Sequence, residues 1–280
     1  MVLVLTILVR DEIDIIKSMI DFHLAHGVDY IIVTDNGSTD GTYDVCKEYE
    51  RKGEIELLIE PPSDFSQHRW VTKMANLAYD KYQADWVINA DADELFVPAQ
   101  EKIGLKNVLN TIPESISVLH LPRHDFVCNV RAMTKSPHVE MVYRKVVSLN
   151  LAGEPLPPKA IHRGSPNIIV SQGNHHVTGD ILGEPLLTNE ISVYHYPIRS
   201  YQQFYSKVNN GGSGYAKNTE LNPNNGFHKR HWYELLLKGE LRTAYDNEYR
   251  IGTKKLDEAI NNNEIIEDRR IVDFINTVLD

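Results

Sequence analysis

The stretch Trp86-Val87-Ile88-Asn89-Ala90 runs without a turn residue into Asp91-Ala92-Asp93-Glu94. Its first five residues are rich in β-branched and aromatic types, which predicts a buried strand. Carboxylates at the end of such a strand cannot stay unpaired in a dry core, so we expect them to project into a cleft. Asp91 and Asp93 lie on the same side of an extended backbone. Their oxygens suit a shared hard divalent cation such as Mg²⁺, Mn²⁺ or Ca²⁺.

The residues before this stretch alternate between strand-like and helix-like patterns. Apolar runs of strand length are found at 2–9, 30–34, 55–59 and 86–90, with helical periodicity between them. Strands that alternate with crossover helices form a parallel sheet covered on both faces, and ligands gather at the carboxyl ends of its strands. Polar clusters follow three of the four runs, at 10–12, 35–42 and 91–94. The sequence therefore predicts an α/β fold with a binding site at one edge of the sheet.

The pattern loosens after Pro98, where only short strands are indicated. The glycine-bearing stretch 209–214 predicts a hinge or mobile loop, and amphipathic helices are predicted beyond it. We divide the chain into a domain at 1–215 and a helical C-terminal extension at 216–280. Within the first domain, 1–98 is expected to bind a nucleotide and 99–215 to shape the pocket of a second substrate.

Composition excludes several classes of protein. The 280 residues include 29 basic and 39 acidic ones, and a net charge of −10 argues against non-specific nucleic-acid binding. Cys46 and Cys128 are the two cysteines, so neither a disulfide framework nor a thiolate metal site is supported, and a reducing compartment is expected. The run 2–9 is too short to span a bilayer and lacks the flanks of a signal peptide. We expect a cytoplasmic protein without a transmembrane segment, with peripheral contact at the inner membrane surface as an alternative.

Known ion and nucleotide motifs do not account for the acidic clusters. An EF-hand loop that starts at Asp35 would need an acidic or amide ligand at its third position and glycine at its sixth, where Gly37 and Asp40 stand. An EF-hand loop that starts at Asn89 places Glu94 at the glycine position. No P-loop and no G-x-G-x-x-G follows a strand in the sequence. The clusters therefore call for another type of site.

Together, the motifs at the ends of the first, second and fourth predicted strands resemble family 2 glycosyltransferases with the GT-A fold. The segments 86–96 and His195-Tyr196-Pro197-Ile198-Arg199-Ser200, with Phe204 and Lys207 beyond, resemble the soluble, non-processive branch of that family. The resemblance covers about residues 1–210. It implies a mainly parallel central sheet flanked by helices, and a nucleotide-sugar donor.

The resemblance also implies roles for individual residues. Asp11 and Asp35 would contact the base or ribose of the donor, and Lys73 would touch the donor from the helix before the D-x-D strand. Asp91 would face the ribose and the metal, and Asp93 would ligate the metal directly. A late histidine often completes the metal shell in GT-A enzymes, and His195 is the candidate here. The implied cofactor is Mn²⁺ or Mg²⁺.

The resemblance leaves the catalytic base open. Asp180 stands at about the right separation from Asp93 in the chain, and Asp125, Glu140 and Glu184 are alternatives. A carboxylate in this role would take the proton of the acceptor hydroxyl.

The sequence thus predicts a metal-dependent, inverting glycosyltransferase of polysaccharide biosynthesis. It would move a sugar from a nucleotide-diphosphate donor to a hydroxyl of a saccharide or glycolipid acceptor. One alternative is a sugar-phosphate nucleotidyltransferase, which would be expected to carry a glycine-rich N-terminal loop, whereas residues 5–14 contain no glycine. Another is a non-catalytic sugar-binding protein derived from the same fold.

Overall fold

A computed structural model describes residues 1–61, 67–100, 103–130, 132–150, 153–217 and 227–279. Its strands are, in chain order, Leu3–Val9 (β1), Tyr30–Asp35 (β2), Ile55–Ile59 (β3), Trp86–Asp91 (β4), Glu94–Pro98 (β5), Val118–Leu121 (β6), Arg123–Asp125 (β7), Tyr143–Lys145 (β8), Lys159–Arg163 (β9), Ile168–Val170 (β10), Val177–Gly179 (β11), Leu186–Leu187 (β12), Ile191–His195 (β13) and Ile265–Glu267 (β14). Its α-helices are Ile16–Ala25 (α1), Thr42–Lys52 (α2), Gln67–Tyr82 (α3), Leu105–Leu109 (α4), Pro137–Glu140 (α5), Tyr201–Lys217 (α6), Phe227–Leu237 (α7), Leu241–Ala244 (α8), Thr253–Asn261 (α9) and Arg270–Phe274 (α10). Short 3₁₀ or π turns follow at Gln172–Asn174, Tyr245–Tyr249 and Ile275–Leu279.

The central sheet has the order β12-β6-β9-β4-β1-β2-β3. β1 pairs in parallel with β2 and β4, and β2 with β3, while β9 runs antiparallel between β4 and β6. The register sets Val9 beside Asp35 and Leu8 beside Asp91, so the polar ends of β2 and β4 flank the end of β1. The predicted α/β class with a mainly parallel sheet is confirmed.

The core lies on both faces of this sheet because side chains of a strand alternate between its faces. Leu5 and Ile7 of β1 belong to one apolar cluster with Met19 of α1, whereas Val4 belongs to a second with Met74 of α3. Strands covered on both faces read as continuous apolar runs, which is why β1 was recognisable from sequence.

A second sheet, in the order β5-β13-β7, continues from the acidic corner at the end of β4. β13 runs antiparallel to β5 and parallel to β7. This register places His195 opposite Glu94 on one side and Asp125 on the other. The late histidine and the acidic stretch are thereby neighbours although about a hundred residues separate them in the chain.

The described C-terminal residues pack against the rest of the chain. β14 pairs with β8, and Ile271 and Ile275 are part of the main core cluster. The segment 216–280 therefore contains a strand as well as the predicted helices. Its proposed boundary at residue 215 falls inside α6.

The stretch 209–214, predicted as a hinge or loop, instead continues helix α6. A Cβ atom at Gly212 would lie 2.5 Å from the Cβ of Tyr233, so glycine permits α6 and α7 to approach closely. In this stretch, the glycine signal reflects helix packing. Within the described residues, none of the helices has the length and apolar character needed to cross a bilayer.

Candidate active site

A cleft of about 1030 Å³ opens at the carboxyl ends of β1 and β4. Its volume is at the upper end of the range typical of small-molecule sites, about 300–1,000 Å³. The ionisable side chains that line it include Asp11, Asp91, Asp93, Asp125, His195 and Lys207. Residues that are far apart in the chain, from Asp11 to Lys207, thus meet in one cleft.

Asp91, at the end of β4, is held by the protein itself. Its Oδ2 accepts from Lys159 Nζ at 2.8 Å, and its Oδ1 accepts from Gln67 Nε2 at 2.7 Å. Burial alone would raise the pKa of Asp91, but the Lys159 ammonium outweighs it, and the pKa is lowered. Lys159 is itself fully buried and also pairs with Glu94 Oε1 at 2.8 Å. The Asp91 carboxylate is therefore ionised and fixed in place.

Asp93 lies in the turn between β4 and β5 and is almost fully buried. Its Oδ2 accepts from Lys207 Nζ at 2.6 Å, with Arg199 Nη1 at 3.8 Å. Burial opposes ionisation, yet Lys207 and His195 hold the pKa of Asp93 well below its usual value. Asp93 is an ionised carboxylate at the wall of the cleft.

His195, the last residue of β13, is oriented by a second carboxylate. Its Nδ1 lies 2.8 Å from Asp125 Oδ1, and its Nε2 lies 3.7 Å from Asp93 Oδ2. Burial would lower the pKa of His195, but the two carboxylates raise it overall. A carboxylate on one ring nitrogen fixes the ring and directs the other nitrogen, as is usual for metal-binding histidines.

The arrangement fits a divalent cation only in part. Asp93 Oδ2 and His195 Nε2 face each other with an oriented histidine behind them, which suits a site whose remaining ligands come from phosphates and water. Asp91 does not join them, because Lys159 and Gln67 hold both of its oxygens. Among the described residues, no three His, Cys, Asp or Glu side chains are grouped to hold a metal. The structure thus brings Asp93 and His195 together and holds Asp91 apart from them, and the metal site itself stays a prediction.

The two aspartates predicted to contact the nucleoside shape one loop. Asp35 Oδ1 accepts from the backbone N–H groups of Gly37 and Ser38, each at 3.0 Å. Asp11 Oδ1 accepts from Thr39 N at 2.7 Å, which ties the end of β1 to the same loop. Asp11 lines the cleft, whereas Asp35 lies beneath its edge, with an Oδ2 that is buried and has no hydrogen-bond partner among the described residues.

Lys73 does not reach the cleft. It lies on the outer face of α3, where its Nζ pairs with Glu60 Oε1 at 2.8 Å and its side chain is 61% exposed. Apolar residues occupy the core-facing side of α3, so Lys73 lies on its outer side. The geometry therefore gives no support to the predicted contact between Lys73 and the donor.

Of the four carboxylates considered as a catalytic base, Asp125 alone is found in the cleft lining. Asp180 is exposed near the β10–β11 hairpin, where its Oδ2 accepts from Asn167 at 2.7 Å. Glu184 is exposed on a loop, and Glu140 accepts from the backbone of Thr134 and Lys135. Spacing from Asp93 does not place Asp180 in the cleft, because only the segment before β11, residues 171–176, lines it between β9 and β13 among the described residues.

Arg199 binds two acidic residues that follow β1, and this role was not predicted from the sequence. Its guanidinium is fully buried, donates to both oxygens of Asp14 at 2.8 and 2.9 Å, and also pairs with Glu12. It thereby joins the residues after β1 to the residues after β13. Burial raises the pKa of Glu12 to about 7 although Arg199 opposes the shift. No local sequence signal marks Arg199 as the partner of Asp14, which lies 185 residues earlier in the chain.

The model of glycosyltransferase family 92 matches residues 6–233 of the sequence. The chain belongs to glycosyltransferase family 92. The predicted membership of the glycosyltransferases is therefore confirmed, with family 92 in place of family 2. No curated protein matches the sequence of this family 92 chain.

Three solved structures similar to this family 92 chain are distant from it in sequence. Staphylococcus aureus TarS, residues 1–349, is 15% identical, with 93% of this chain and 78% of that chain covered and a TM-score of 0.44. The same protein in complex with UDP is 16% identical over 93% and 78% of the chains, with a TM-score of 0.44. Glucosyl-3-phosphoglycerate synthase from Mycobacterium tuberculosis, with Mn²⁺, UDP and glucosyl-3-phosphoglycerate, is 18% identical over 44% of each chain, with a TM-score of 0.29.

Proposed function

We propose that this protein is a metal-dependent, inverting glycosyltransferase that uses a nucleoside-diphosphate sugar and a saccharide or glycolipid acceptor. The observation that carries the proposal is the facing pair Asp93 and His195, oriented by Asp125, inside a cleft of a family 92 chain. The same proposal assigns nucleotide binding to residues 1–98 and the pocket of the acceptor to residues 99–215.

The charge of the cleft suits a diphosphate. Among the described residues that line it, eight are Lys or Arg and six are Asp or Glu, although the whole chain has a net charge of −10. Lys207 and Lys159 lie next to the acidic corner. Cations placed where negative charge develops on a leaving group stabilise the transition state. The donor diphosphate would therefore lie beside Lys207, with its nucleoside toward Asp11 and the loop that Asp35 supports.

Asp93 and His195 would hold the divalent cation, Mn²⁺ or Mg²⁺, and Asp125 would keep the histidine ring in position. When bound, such a cation supplies positive charge against the diphosphate of the leaving nucleotide. In an inverting transfer the acceptor oxygen forms a bond to the anomeric carbon while the bond from that carbon to the diphosphate oxygen breaks. The bonding electrons leave with the diphosphate, and the acceptor proton passes to a carboxylate of the cleft.

Binding of nucleoside diphosphates tests the proposal first. We expect one member of a panel of UDP, GDP, CDP and ADP to raise the thermal midpoint in the presence of Mn²⁺, since a ligand at about 100 times its Kd stabilises by about 2.7 kcal/mol. Asp93→Asn and His195→Ala should lose this stabilisation, and Asp180→Asn, an exposed carboxylate outside the cleft, should retain it. No stabilisation by any member would contradict a nucleotide-sugar enzyme.

Turnover then separates the alternatives. Metal-dependent release of the nucleoside diphosphate from a nucleotide sugar indicates a transferase, and the anomeric configuration of the product, read by NMR, shows whether transfer inverts. Release of pyrophosphate from a nucleoside triphosphate and a sugar phosphate would instead indicate a nucleotidyltransferase. Binding without any turnover would indicate a sugar-binding protein.

A further inference from the structure

The carboxylate that would ligate the metal already has a cation of the chain against it. Lys207, on α6, places its Nζ 2.6 Å from Asp93 Oδ2 and 3.1 Å from the carbonyl oxygen of Pro197. That carboxylate oxygen is the one that faces His195 Nε2 at 3.7 Å. The ammonium therefore stands beside the position between the two predicted metal ligands.

Two other cations at the acidic corner, Lys159 and Arg199, are fixed more firmly. Lys159 is 1% exposed and shared between Asp91 and Glu94. Arg199 is 0% exposed and bonded to Asp14 on two nitrogens. Lys207 is 24% exposed, lines the cleft and sits on a flexible four-carbon stem. Of these three cations, Lys207 can leave its carboxylate at the least cost.

We propose that Lys207 is an exchangeable counter-ion, which neutralises Asp93 in the free protein and passes to the donor diphosphate when donor and metal bind. The inference rests on the proposed function, since it assumes a nucleotide-sugar donor and a divalent cation in the cleft. Two cations beside one carboxylate oxygen repel each other strongly at short range. Lys207 therefore keeps metal affinity low until a diphosphate offers it another partner.

The consequence is that metal and nucleotide bind cooperatively. In the free protein Lys207 competes with the metal for Asp93, and in the donor complex it strengthens the binding of the diphosphate instead. Coupling between two ligands is reciprocal, so the metal should tighten nucleotide binding by the same factor that the nucleotide tightens metal binding. A lysine that merely supported the fold would produce no such coupling.

Titration of the folded protein with Mn²⁺, followed by the EPR signal of the free ion, tests this role. We expect Lys207→Met, which removes the charge and keeps the length, to bind Mn²⁺ alone about tenfold more tightly than the wild type, because a nearby unit charge is removed. Lys207→Arg should restore the weak binding of the wild type. Lys81→Met is the matched control, because Lys81 pairs with Glu56 on the surface of α3 with its side chain 51% exposed.

A second titration uses the nucleoside diphosphate that stabilises the wild type, at saturating Mn²⁺. Lys207→Met should bind it about tenfold more weakly and lose most of the coupling between the two ligands. Should Lys207→Met fail to fold, judged by circular dichroism, Lys207→Gln serves in its place.

The outcomes separate the two proposals. If Lys207→Met and Lys207→Gln bind Mn²⁺ alone no more tightly than the wild type, or if Lys207→Arg binds it as tightly as they do, the counter-ion role is overturned and the proposed function stands. If the wild type binds no nucleoside diphosphate, the proposed function fails and the transfer of Lys207 to a diphosphate fails with it, whereas the titration with Mn²⁺ alone still shows whether Lys207 competes with the metal for Asp93.

Discussion

Removal of the buried Arg199 guanidinium should destabilise the fold more than any exposed charge change. Arg199→Met deletes the hydrogen bonds to both oxygens of Asp14 and the ion pair with Glu12, while it keeps a side chain that replaces the aliphatic part of arginine. Breaking a buried ion pair from one side costs about 3–5 kcal/mol, because the remaining charge is left uncompensated. Asp14 is 33% exposed and can regain water, so we expect the lower end, about 3 kcal/mol.

Urea unfolding followed by circular dichroism measures this loss. Arg242→Met is the control, because Arg242 forms an ion pair of the same 2.8 Å length with Asp246 but is 61% exposed. Exposed pairs contribute about 0.2–1 kcal/mol, so the control should stay close to the wild type. If the two variants lose similar free energies of unfolding, then Arg199 does not join the residues after β1 to those after β13 in the way we infer.

Three other predictions follow from the geometry. Asp93→Asn should abolish sugar transfer while the protein stays folded, and near-normal turnover would contradict a metal role for this carboxylate. Asp35→Ala should weaken nucleoside diphosphate binding by about 1–3 kcal/mol, measured by calorimetry, because the N–H groups of Gly37 and Ser38 lose their acceptor; unchanged affinity would reduce Asp35 to a turn former. Burial lowers the pKa of His23 to about 3, below the value of about 6.5 in the unfolded chain, so the unfolded state takes up the proton first. His23 alone should then lower the free energy of unfolding by up to about 1.4 kcal/mol per pH unit as pH drops from 6 to 4.5, and a pH-independent urea midpoint over that range would contradict it.

The parallel half of the fold was predictable because each of its strands has a recognisable local sequence pattern. A strand covered on both faces is continuously apolar, and its polar continuation marks the carboxyl end of the sheet. These signals located β1 to β4 and brought Asp11, Asp91 and Asp93 to one edge. β14 was not predicted, since Ile265–Glu267 is short and lies between helical patterns. Its pairing with β8 depends on contacts about 120 residues away.

The site was predictable only as far as its carboxylates and its histidine. Metal ligands can be guessed from residue type and from position at a strand end, but the cations that balance them carry no such mark. Lys207 and Arg199 are separated from their acidic partners by 114 and 185 residues, and any exposed lysine or arginine in the chain has the same local pattern. Lys73 shows the opposite case. Its position in the sequence favoured a donor contact, but in the structure it forms a surface ion pair with Glu60.

Burial decides which of these charges matter for chemistry. Glu12, Asp91, Asp93 and Glu94 together would be costly to ionise in so confined a space, and the fold compensates with cations from β9, from the segment after β13 and from α6. The three cations differ in exposure, because Lys159 and Arg199 are buried and held by their carboxylates whereas Lys207 is partly exposed in the cleft. An acidic site neutralised in this way can be stable without ligand and still accept a diphosphate, provided that one of its cations can change partners. The position of Lys207 between Asp93 and the cleft meets that condition.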